Sequence, residues 1–309
     1  MGMSNARPNY SATAHDWLEG ARPHTWANAF APVLAGTAAA AASTTGGAHL
    51  GRAFLALIVS WALIIGVNYA NDYSDGVRGT DEDRTGPQRL TGGGLAAPKD
   101  VKRAAFISFG VAAVAGIILS LAAGAWWFIL LGALCIAGAW FYTGGPKPYG
   151  YMGLGEVAVF IFFGLIAVLG TQYTQSHEVT WLGLWLAIGI GAMSAAVNLA
   201  NNIRDIPSDA QTGKTTLAVR LGDAHSRQLF TALLVAPFIL TIFAAFTAWP
   251  ALFALVYAPF AVGAVRIVNR GAQGKELIPV LARTGRAMLI WAVVMLAALT
   301  FFDQLYWVA

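Results

Sequence analysis

Segment 68–81 ends a long apolar run with the sequence NYANDYSDGVRGTD, and segment 198–216 ends another with NLANNIRDIPSDAQTGKTT. We call them the first and second acidic clusters. Asp and Asn are costly beside lipid, so a membrane chain that gathers them twice is predicted to use them. Carboxylate and amide oxygens suit Mg²⁺, which often binds through one or two carboxylates together with substrate phosphates. The two clusters therefore predict a magnesium and phosphate site.

The composition around the clusters is that of an integral membrane protein. Of 309 residues, 57% are hydrophobic and 11% are charged, whereas a soluble domain has roughly 25% charged residues. A soluble helical core and a secreted scaffold are therefore excluded. The single cysteine, Cys135, lies in an apolar run, which argues against disulfides and a cysteine-based metal site. Basic residues concentrate in the loops between apolar runs, so they do not indicate nucleic-acid binding.

The apolar runs predict an all-α, polytopic fold with about nine transmembrane helices. About twenty apolar residues cross a bilayer. Residues 1–25 contain charged side chains but no long apolar run, so we interpret them as a cytoplasmic tail and residues 26–309 as one transmembrane domain. The candidate spans are 26–43, 53–71, 104–122, 124–142, 153–172, 180–201, 228–248, 249–266 and 286–303.

The charges in the loops predict the orientation of the chain. Loops 72–103, 202–227 and 267–286 hold most of the Lys and Arg residues, whereas the alternate loops hold almost none. Positively charged loops stay in the cytoplasm. We therefore expect a multi-pass protein of the cell membrane whose N-terminus and both acidic clusters lie on the cytoplasmic side.

The two clusters share a helical spacing. Asn68, Asp72 and Asp75 fall at positions i, i+4 and i+7, and the second cluster repeats the interval from Asn198 to Asp205. Residues at this spacing lie on one face of a helix. Because the cluster-bearing spans are the second and the sixth, we predict two parallel four-helix halves that each contribute one cluster, plus a ninth helix.

Two acidic stripes can face one another only with cations between them. Mg²⁺ that bridges the carboxylates to a diphosphate would satisfy this requirement and neutralise a leaving group. The apolar spans suit a long isoprenoid tail, so the pattern predicts a lipid diphosphate that ionises to an allylic cation. The predicted metal ligands are Asn68, Asp72, Asp75, Asp205 and Asp209. The predicted substrate contacts from this reasoning are Asn68, Arg78, Tyr142, Lys147, Tyr149, Asn201 and Lys214.

Several of these residues have simpler interpretations that the sequence leaves open. Amides inside spans form hydrogen bonds between helices, which would explain Asn68 and Asn198. Lys147 and Arg220 follow the distribution of ordinary cytoplasmic cations. Tyrosines at a membrane interface form an aromatic belt, while their functional interpretation is stabilisation of a cation by the ring face. This alternative applies to Tyr142, Tyr149 and Tyr151.

At these motifs the chain resembles the UbiA superfamily of intramembrane prenyltransferases. The motif Asn-Asp-x-x-Asp matches residues 71–75, and Asp-x-x-x-Asp followed by Gly-Lys-x-Thr matches residues 205–216. Many members carry a further Asp where this chain has Gly79, with Asp81 two residues later. That departure, together with segments 21–37, 142–156 and 216–222, resembles the 1,4-dihydroxy-2-naphthoate polyprenyltransferase branch of menaquinone synthesis.

The resemblance implies both a reaction and the residues that carry it. Mg²⁺ would activate a polyprenyl diphosphate, and the ring of 1,4-dihydroxy-2-naphthoate would attack at its carboxylate-bearing carbon, with loss of carbon dioxide and diphosphate, giving demethylmenaquinone. Arg22 or Lys147 would hold the acceptor carboxylate. The implied catalytic residues are Asp72, Asp75, Asp205 and Asp209.

Other functions remain open at this point. The nearest alternatives within the superfamily prenylate another aromatic acceptor, such as 4-hydroxybenzoate or homogentisate. A more distant alternative is an ion-coupled transporter that uses the acidic clusters as its ion site. The position of the clusters at the ends of helices argues against it, because transporters bind ions near the bilayer midplane, at broken helices.

Overall fold

The computed structural model describes residues 10–44, 47–79 and 89–301, and within these ranges the chain is helical and has no β-strand. Asp81 of the first cluster lies outside them. The α-helices in chain order are α1 Ala14–Gly20, α2 Ala27–Ala41, α3 Leu50–Arg78, α4 Pro98–Ala122, α5 Phe128–Phe141, α6 Gly155–Val159, α7 Gly170–Ser176, α8 Trp181–Gln211, α9 Leu217–Thr247, α10 Ala258–Asn269 and α11 Ile278–Phe301.

Shorter helical segments complete several of these elements. A π-helix, Phe160–Leu169, joins α6 to α7, so that Gly155–Ser176 forms one apolar rod. Such π segments often occur at functional sites. Short 3₁₀ turns cover Pro23–Thr25, Tyr149–Met152, Trp249–Tyr257 and Gly274–Leu277.

Within the described ranges, seven helices are long and apolar enough to cross a membrane. They are Leu50–Arg78, Pro98–Ala122, Gly155–Ser176, Trp181–Gln211, Leu217–Thr247, Trp249–Asn269 and Gly274–Phe301. The first and fourth predicted spans correspond to α2 and α5, which have only 15 and 14 residues. These two fall short of the roughly 20 residues that cross a bilayer. The all-helical, multi-pass prediction is confirmed, while the count of nine crossings stays a prediction.

The two cluster-bearing helices end in the same way. The helix α3 ends before Gly79, which has φ 71°, and α8 ends two residues before Gly213, which has φ 75°. Glycine adopts the left-handed conformation without steric cost, so it stops a helix sharply. Asp72 and Asp75 therefore lie on the last turns of α3, and Asp205 and Asp209 lie on the last turns of α8.

Each cluster-bearing helix packs against the helix that follows it. The helix α3 packs against α4, and α8 packs against α9. The main apolar core lies between α2, α8, α9 and α11, and its largest fully buried side chain is Trp291. The indole Nε1 of Trp291 donates to Thr241 Oγ1 at 2.8 Å. A smaller core around Tyr69, Leu90 and Phe109 supports the first cluster.

The N-terminal segment packs against the cluster-bearing helix α3. A capping box of Thr13 and Asp16 starts α1. Tyr69 Oη donates to the carbonyl of Trp17 at 2.8 Å, and Asn68 Nδ2 donates to the carbonyl of Ala21 at 3.0 Å. Residues that the sequence predicts as a tail therefore contribute to the walls of the site described next.

Candidate active site

A polar cavity of about 100 Å³ lies where the ends of α3 and α8 converge. Asp72 and Asp75 of the first cluster and Asp205 of the second line it together. The structure thus brings the two clusters to one cavity, as their shared spacing predicts. Further lining residues include Glu19, Arg22, His24, Asn71, Arg89, Thr143, Tyr151, Asn201, Asn202, Arg204 and Lys214.

Asp72 is fully buried and fixes the chain that follows the first cluster. Its carboxylate accepts backbone hydrogen bonds from Leu90 at 2.9 Å and Thr91 at 2.8 Å. A carboxylate has about four acceptor positions, so two remain after these bonds. Asp72 therefore has a structural role in addition to its predicted chemical one.

Asp75 connects the first cluster to the second through Tyr151. Tyr151 Oη donates to Asp75 Oδ1 at 2.6 Å, and the carbonyl of Tyr151 accepts from the backbone N–H of Thr215 at 3.0 Å. The Arg78 guanidinium lies 5.4 Å and the Lys214 ammonium 5.2 Å from the centre of the Tyr151 ring. Cations within about 6 Å of an aromatic ring are attracted to its face. Tyr151 thereby contacts a cation from each cluster.

The second cluster holds its carboxylates beside cations of its own. The Arg204 guanidinium binds both oxygens of Asp205, at 2.7 Å and 2.8 Å, and both side chains are buried. Lys214 Nζ lies 3.7 Å from Asp209. Arg204, Asp205 and Lys214 line the polar cavity, whereas Asp209 is buried and is not part of its lining. The arrangement supplies both charge signs to one small volume, as an anion bound with its metal ions requires.

A second, apolar cavity of about 270 Å³ extends from the polar one between α3, α4, α5 and the Gly155–Ser176 rod. Its walls include Val67, Leu131 and three residues of the π-helix, Phe162, Phe163 and Ile166. The two cavities share lining residues, so they meet at a common junction. The shared residues are Arg22, Thr25, Asn71, Tyr142, Asn198 and Asn201.

Two tyrosines stand at or beside this junction. Tyr142 Oη donates to Asn198 Oδ1 at 3.3 Å, and Tyr149 Oη donates to the carbonyl of Gly138 at 2.6 Å. Burial raises the pKa of Tyr149 to about 12. The Tyr149 phenol therefore stays neutral and acts as a hydrogen-bond donor at physiological pH.

Arg22 places a cation at the junction. Its backbone is left-handed, with φ 52° and ψ 69°. Its Nη2 is buried and has no hydrogen-bond partner within the described part of the chain. Buried polar groups nearly always have a partner, so this nitrogen is available for an anionic ligand.

Five predicted site residues are not among those that line the polar cavity: Asn68, Arg78, Lys147, Tyr149 and Asp209. Of these, Tyr149 borders the apolar cavity, and Asp209 is part of neither lining within the described ranges. Asn68 lines the apolar cavity, and its Nδ2 donates to Ala21 and Thr25, which favours the alternative of a bond between segments. Arg78 donates to the carbonyls of Thr143 and Gly145. Lys147 is exposed and, among the described residues, is not part of either cavity lining. The metal-ligand prediction for Asn68 and the substrate predictions for Arg78 and Lys147 gain no support from this placement.

The structure also adds residues that the sequence argument did not select as site residues. The sequence suggests an aromatic belt or stabilisation of a cation for Tyr151, whereas the structure shows its hydroxyl bound to Asp75. Glu156 accepts hydrogen bonds from two amides of the second cluster helix. A single carboxylate at the start of an apolar span was a usable signal for Glu156, because such groups are rare and costly in a membrane. For Arg204, the usable signal was its position next to Asp205 in the sequence, where a cation can bind the carboxylate.

The donors in the polar cavity fit Mg²⁺ that is shared with a phosphate. Within the described ranges, no group of three His, Cys, Asp or Glu side chains converges closely enough to hold a metal ion unaided. The carboxylates are distributed over two helices that face one another. Mg²⁺ typically uses one or two carboxylates and completes its shell with water and substrate phosphates, so the arrangement matches a metal that arrives with a diphosphate.

Comparison with known proteins agrees with this geometry. The model of the UbiA prenyltransferase family matches residues 29–276. The chain is 56% identical over 290 residues to a 1,4-dihydroxy-2-naphthoate octaprenyltransferase of Mycobacterium leprae, covering 94% of this chain and 97% of the relative. It is 37% identical over 287 residues to the protein of the same name from Escherichia coli, covering 89% and 91%.

The fold has solved counterparts. A UbiA homolog from Archaeoglobus fulgidus bound to GPP and Mg²⁺ aligns with a TM-score of 0.66 at 14% identity, over 92% of this chain and 99% of that one. At this identity the likeness concerns the fold. It shows that the helices enclosing the two cavities follow an arrangement already seen in this group of membrane proteins.

Proposed function

The chain belongs to the UbiA prenyltransferase family and is a prenyltransferase, and we propose that it transfers a polyprenyl group from polyprenyl diphosphate to 1,4-dihydroxy-2-naphthoate, releasing diphosphate and carbon dioxide. The main observation in support of this proposal is that a polar and an apolar cavity meet. The polar one suits the diphosphate with its metal ions and the apolar one suits the isoprenoid tail. The allylic carbon between them then lies at the junction.

The chain's own residues have distinct roles in this proposal. Lys214 and Arg89 line the polar cavity and offer charge-assisted hydrogen bonds to phosphate oxygens. Asp72, Asp75, Asp205 and Asp209 are the candidate ligands of Mg²⁺, which neutralises the leaving diphosphate when bound. The Tyr142 ring lies at the junction, where an aromatic face stabilises an allylic cation.

The placement of the site also supports an orientation. Both clusters line one cavity, and segments 72–103 and 202–227, which contain or follow them, carry ten of the nineteen Lys and Arg residues. We propose that this cavity faces the cytoplasm of a cell membrane, where the soluble acceptor and diphosphate are exchanged. The apolar cavity then takes the tail of a donor that reaches it from the lipid phase.

The mass of the product tests the proposed acceptor. The purified protein, incubated with Mg²⁺, a polyprenyl diphosphate and 1,4-dihydroxy-2-naphthoate, should give a mass equal to acceptor plus prenyl minus carbon dioxide. The new carbon–carbon bond forms at the carboxylate-bearing carbon, which has no proton to lose, so the ring regains aromaticity by releasing carbon dioxide. A product that retains the acid, or transfer only to 4-hydroxybenzoate, would contradict the naphthoate assignment and leave the acidic-cluster chemistry intact.

We propose that Arg22, rather than Lys147, holds the acceptor carboxylate. Arg22→Gln should raise KM for the naphthoate about 10- to 100-fold, since a hydrogen bond to a charged group contributes roughly 1.5–3 kcal/mol. KM for the prenyl diphosphate should stay within about twofold, because that substrate has other cations available. Lys147→Gln is the matched comparison, and a KM effect in that variant with none in Arg22→Gln would reverse the assignment.

A further inference from the structure

Glu156 is a buried carboxylate that the proposed reaction does not use. It lies in the first turn of α6 and is 4% exposed. Among the described residues it lines neither cavity, so any effect on the reaction must act through its neighbours. Those neighbours are two amides of the second acidic cluster, and Glu156 accepts a hydrogen bond from each of them.

Both hydrogen bonds end on the same oxygen. Asn198 Nδ2 donates to Glu156 Oε1 at 3.2 Å, and Asn202 Nδ2 donates to it at 2.6 Å. The two asparagines are four residues apart on α8 and lie on the same face of the helix. Asn198 borders both cavities and Asn202 borders the polar one. Glu156 therefore contacts the two cavities only through side chains that line them.

The chemistry of the carboxylate determines how the two amides are turned. Oε1 of Glu156 is the acceptor in both bonds, and an amide donates only through its nitrogen. Each asparagine must therefore turn Nδ2 toward Glu156 and Oδ1 away from it. For Asn198 this leaves Oδ1 to accept the hydroxyl of Tyr142, at 3.3 Å. A chain of two hydrogen bonds thus links Glu156 to a ring at the junction.

Gly155 makes room for this network. A Cβ atom at residue 155 would lie 3.0 Å from both Asn198 Nδ2 and Tyr142 Oη. Such a distance is shorter than ordinary contact, so both atoms would have to move. The glycine allows the backbone of α6 to approach the amide and the phenol together.

We propose that Glu156 is a positioning residue that fixes the amide orientation of Asn198 and Asn202 and, through Asn198, holds the Tyr142 ring at the junction of the two cavities. The inference rests on the proposed function, because its consequence is the rate of prenyl transfer at that junction. The Tyr142 hydroxyl donates to Asn198 Oδ1, and its ring lies where the two cavities meet.

The test compares two replacements of the same residue. Glu156→Ala should lower kcat about 10- to 100-fold, with both KM values within about threefold, since the lost amide orientation affects the ring rather than substrate binding. Glu156→Gln should restore kcat to within about threefold of wild type. The glutamine oxygen can accept the same two bonds, and its nitrogen takes the place of Oε2, which has no hydrogen-bond partner in the described ranges.

A second pair of variants keeps Glu156 intact. Gly155→Ala should lower kcat as Glu156→Ala does, because the added methyl group displaces the same amide and phenol. Gly110→Ala is the matched control in α4, where a Cβ would meet no atom within 4 Å, and it should leave kcat unchanged. Glu156→Ala combined with Tyr142→Phe should be no slower than Tyr142→Phe alone, since both act on one contact.

The outcomes separate this inference from the function on which it rests. If the wild type is active and Glu156→Ala has the same kcat, the positioning role is overturned. Equal losses in Glu156→Ala and Glu156→Gln would overturn it too, because charge rather than orientation would then matter. If Glu156→Ala fails to fold in a thermal unfolding assay, the Gly155→Ala and Gly110→Ala pair decides. A wild type that prenylates no acceptor overturns the proposed function, and the inference falls with it.

Discussion

An Asp75→Asn enzyme should keep its fold and lose kcat by about 100- to 1,000-fold, the loss typical when one preorganised group that stabilises developing charge is removed. Asp75 lines the polar cavity and accepts the Tyr151 hydroxyl at 2.6 Å. The asparagine oxygen can accept the same hydrogen bond, so the change removes the formal charge and keeps this contact. Steady-state kinetics at saturating donor and acceptor, with thermal unfolding on the same sample, measures both parts.

The other aspartates of the two clusters should also be needed for full kcat. Changing Asp72, Asp205 or Asp209 to Asn should also cost more than about tenfold in kcat, by the same electrostatic argument. Asp205→Asn should in addition lower the unfolding temperature, because the buried Arg204 guanidinium loses its charged partner. Asp100→Asn, on the exposed first turn of α4, is the control and should behave as wild type. A dispensable Asp75 together with an essential Asp81 would move the first-cluster assignment to Asp81.

Removal of divalent metal should abolish turnover. We expect EDTA to lower the rate by about 1,000-fold or more, since neutralising a leaving diphosphate is worth several kcal/mol and each 1.36 kcal/mol is tenfold in rate. The described carboxylates lie in opposing helices rather than in a ready-made metal cage. Metal should therefore bind best together with the diphosphate, and added Mg²⁺ should restore the rate.

A measurement without turnover checks the same point. Thermal unfolding should shift upward with Mg²⁺ and inorganic diphosphate together, and much less with either alone, because a ligand that binds only the folded protein stabilises it. The Asp75→Asn protein should show a smaller shift. Full activity in EDTA, or equal shifts with and without Mg²⁺, would refute the metal role.

Spacing and charge were sufficient to predict how the two clusters meet. The interval shared by Asn68–Asp75 and Asn198–Asp205 depends only on helical periodicity, and the described structure brings both stripes to one cavity. The apolar runs likewise predicted helices along the chain. An apolar segment that crosses a membrane must satisfy its own backbone hydrogen bonds, and a helix does so. What the sequence specified well was therefore local periodicity and hydropathy.

Contacts between segments that are distant in the chain could not be predicted from the sequence. Tyr151 resembles any interfacial tyrosine until its hydroxyl is seen on Asp75, which is 76 positions away in the chain. Residues 14–25 are polar enough to resemble a tail, yet they pack on α3 because Tyr69 and Asn68 provide buried donors to their carbonyls. Arg22 and Lys147 could not be separated by type or position, and their different burial separates them.

The left-handed backbone of Arg22 has a consequence for engineering. A non-glycine residue in this conformation costs on the order of 1–3 kcal/mol, and glycine adopts it freely. Selection of variants for thermal tolerance alone would thus favour glycine at this position and discard the guanidinium at the junction. A thermally stabilised version of this protein should be screened for acceptor affinity at every round of selection. The left-handed backbone favours glycine at this position, whereas the proposed contact with the acceptor carboxylate requires arginine.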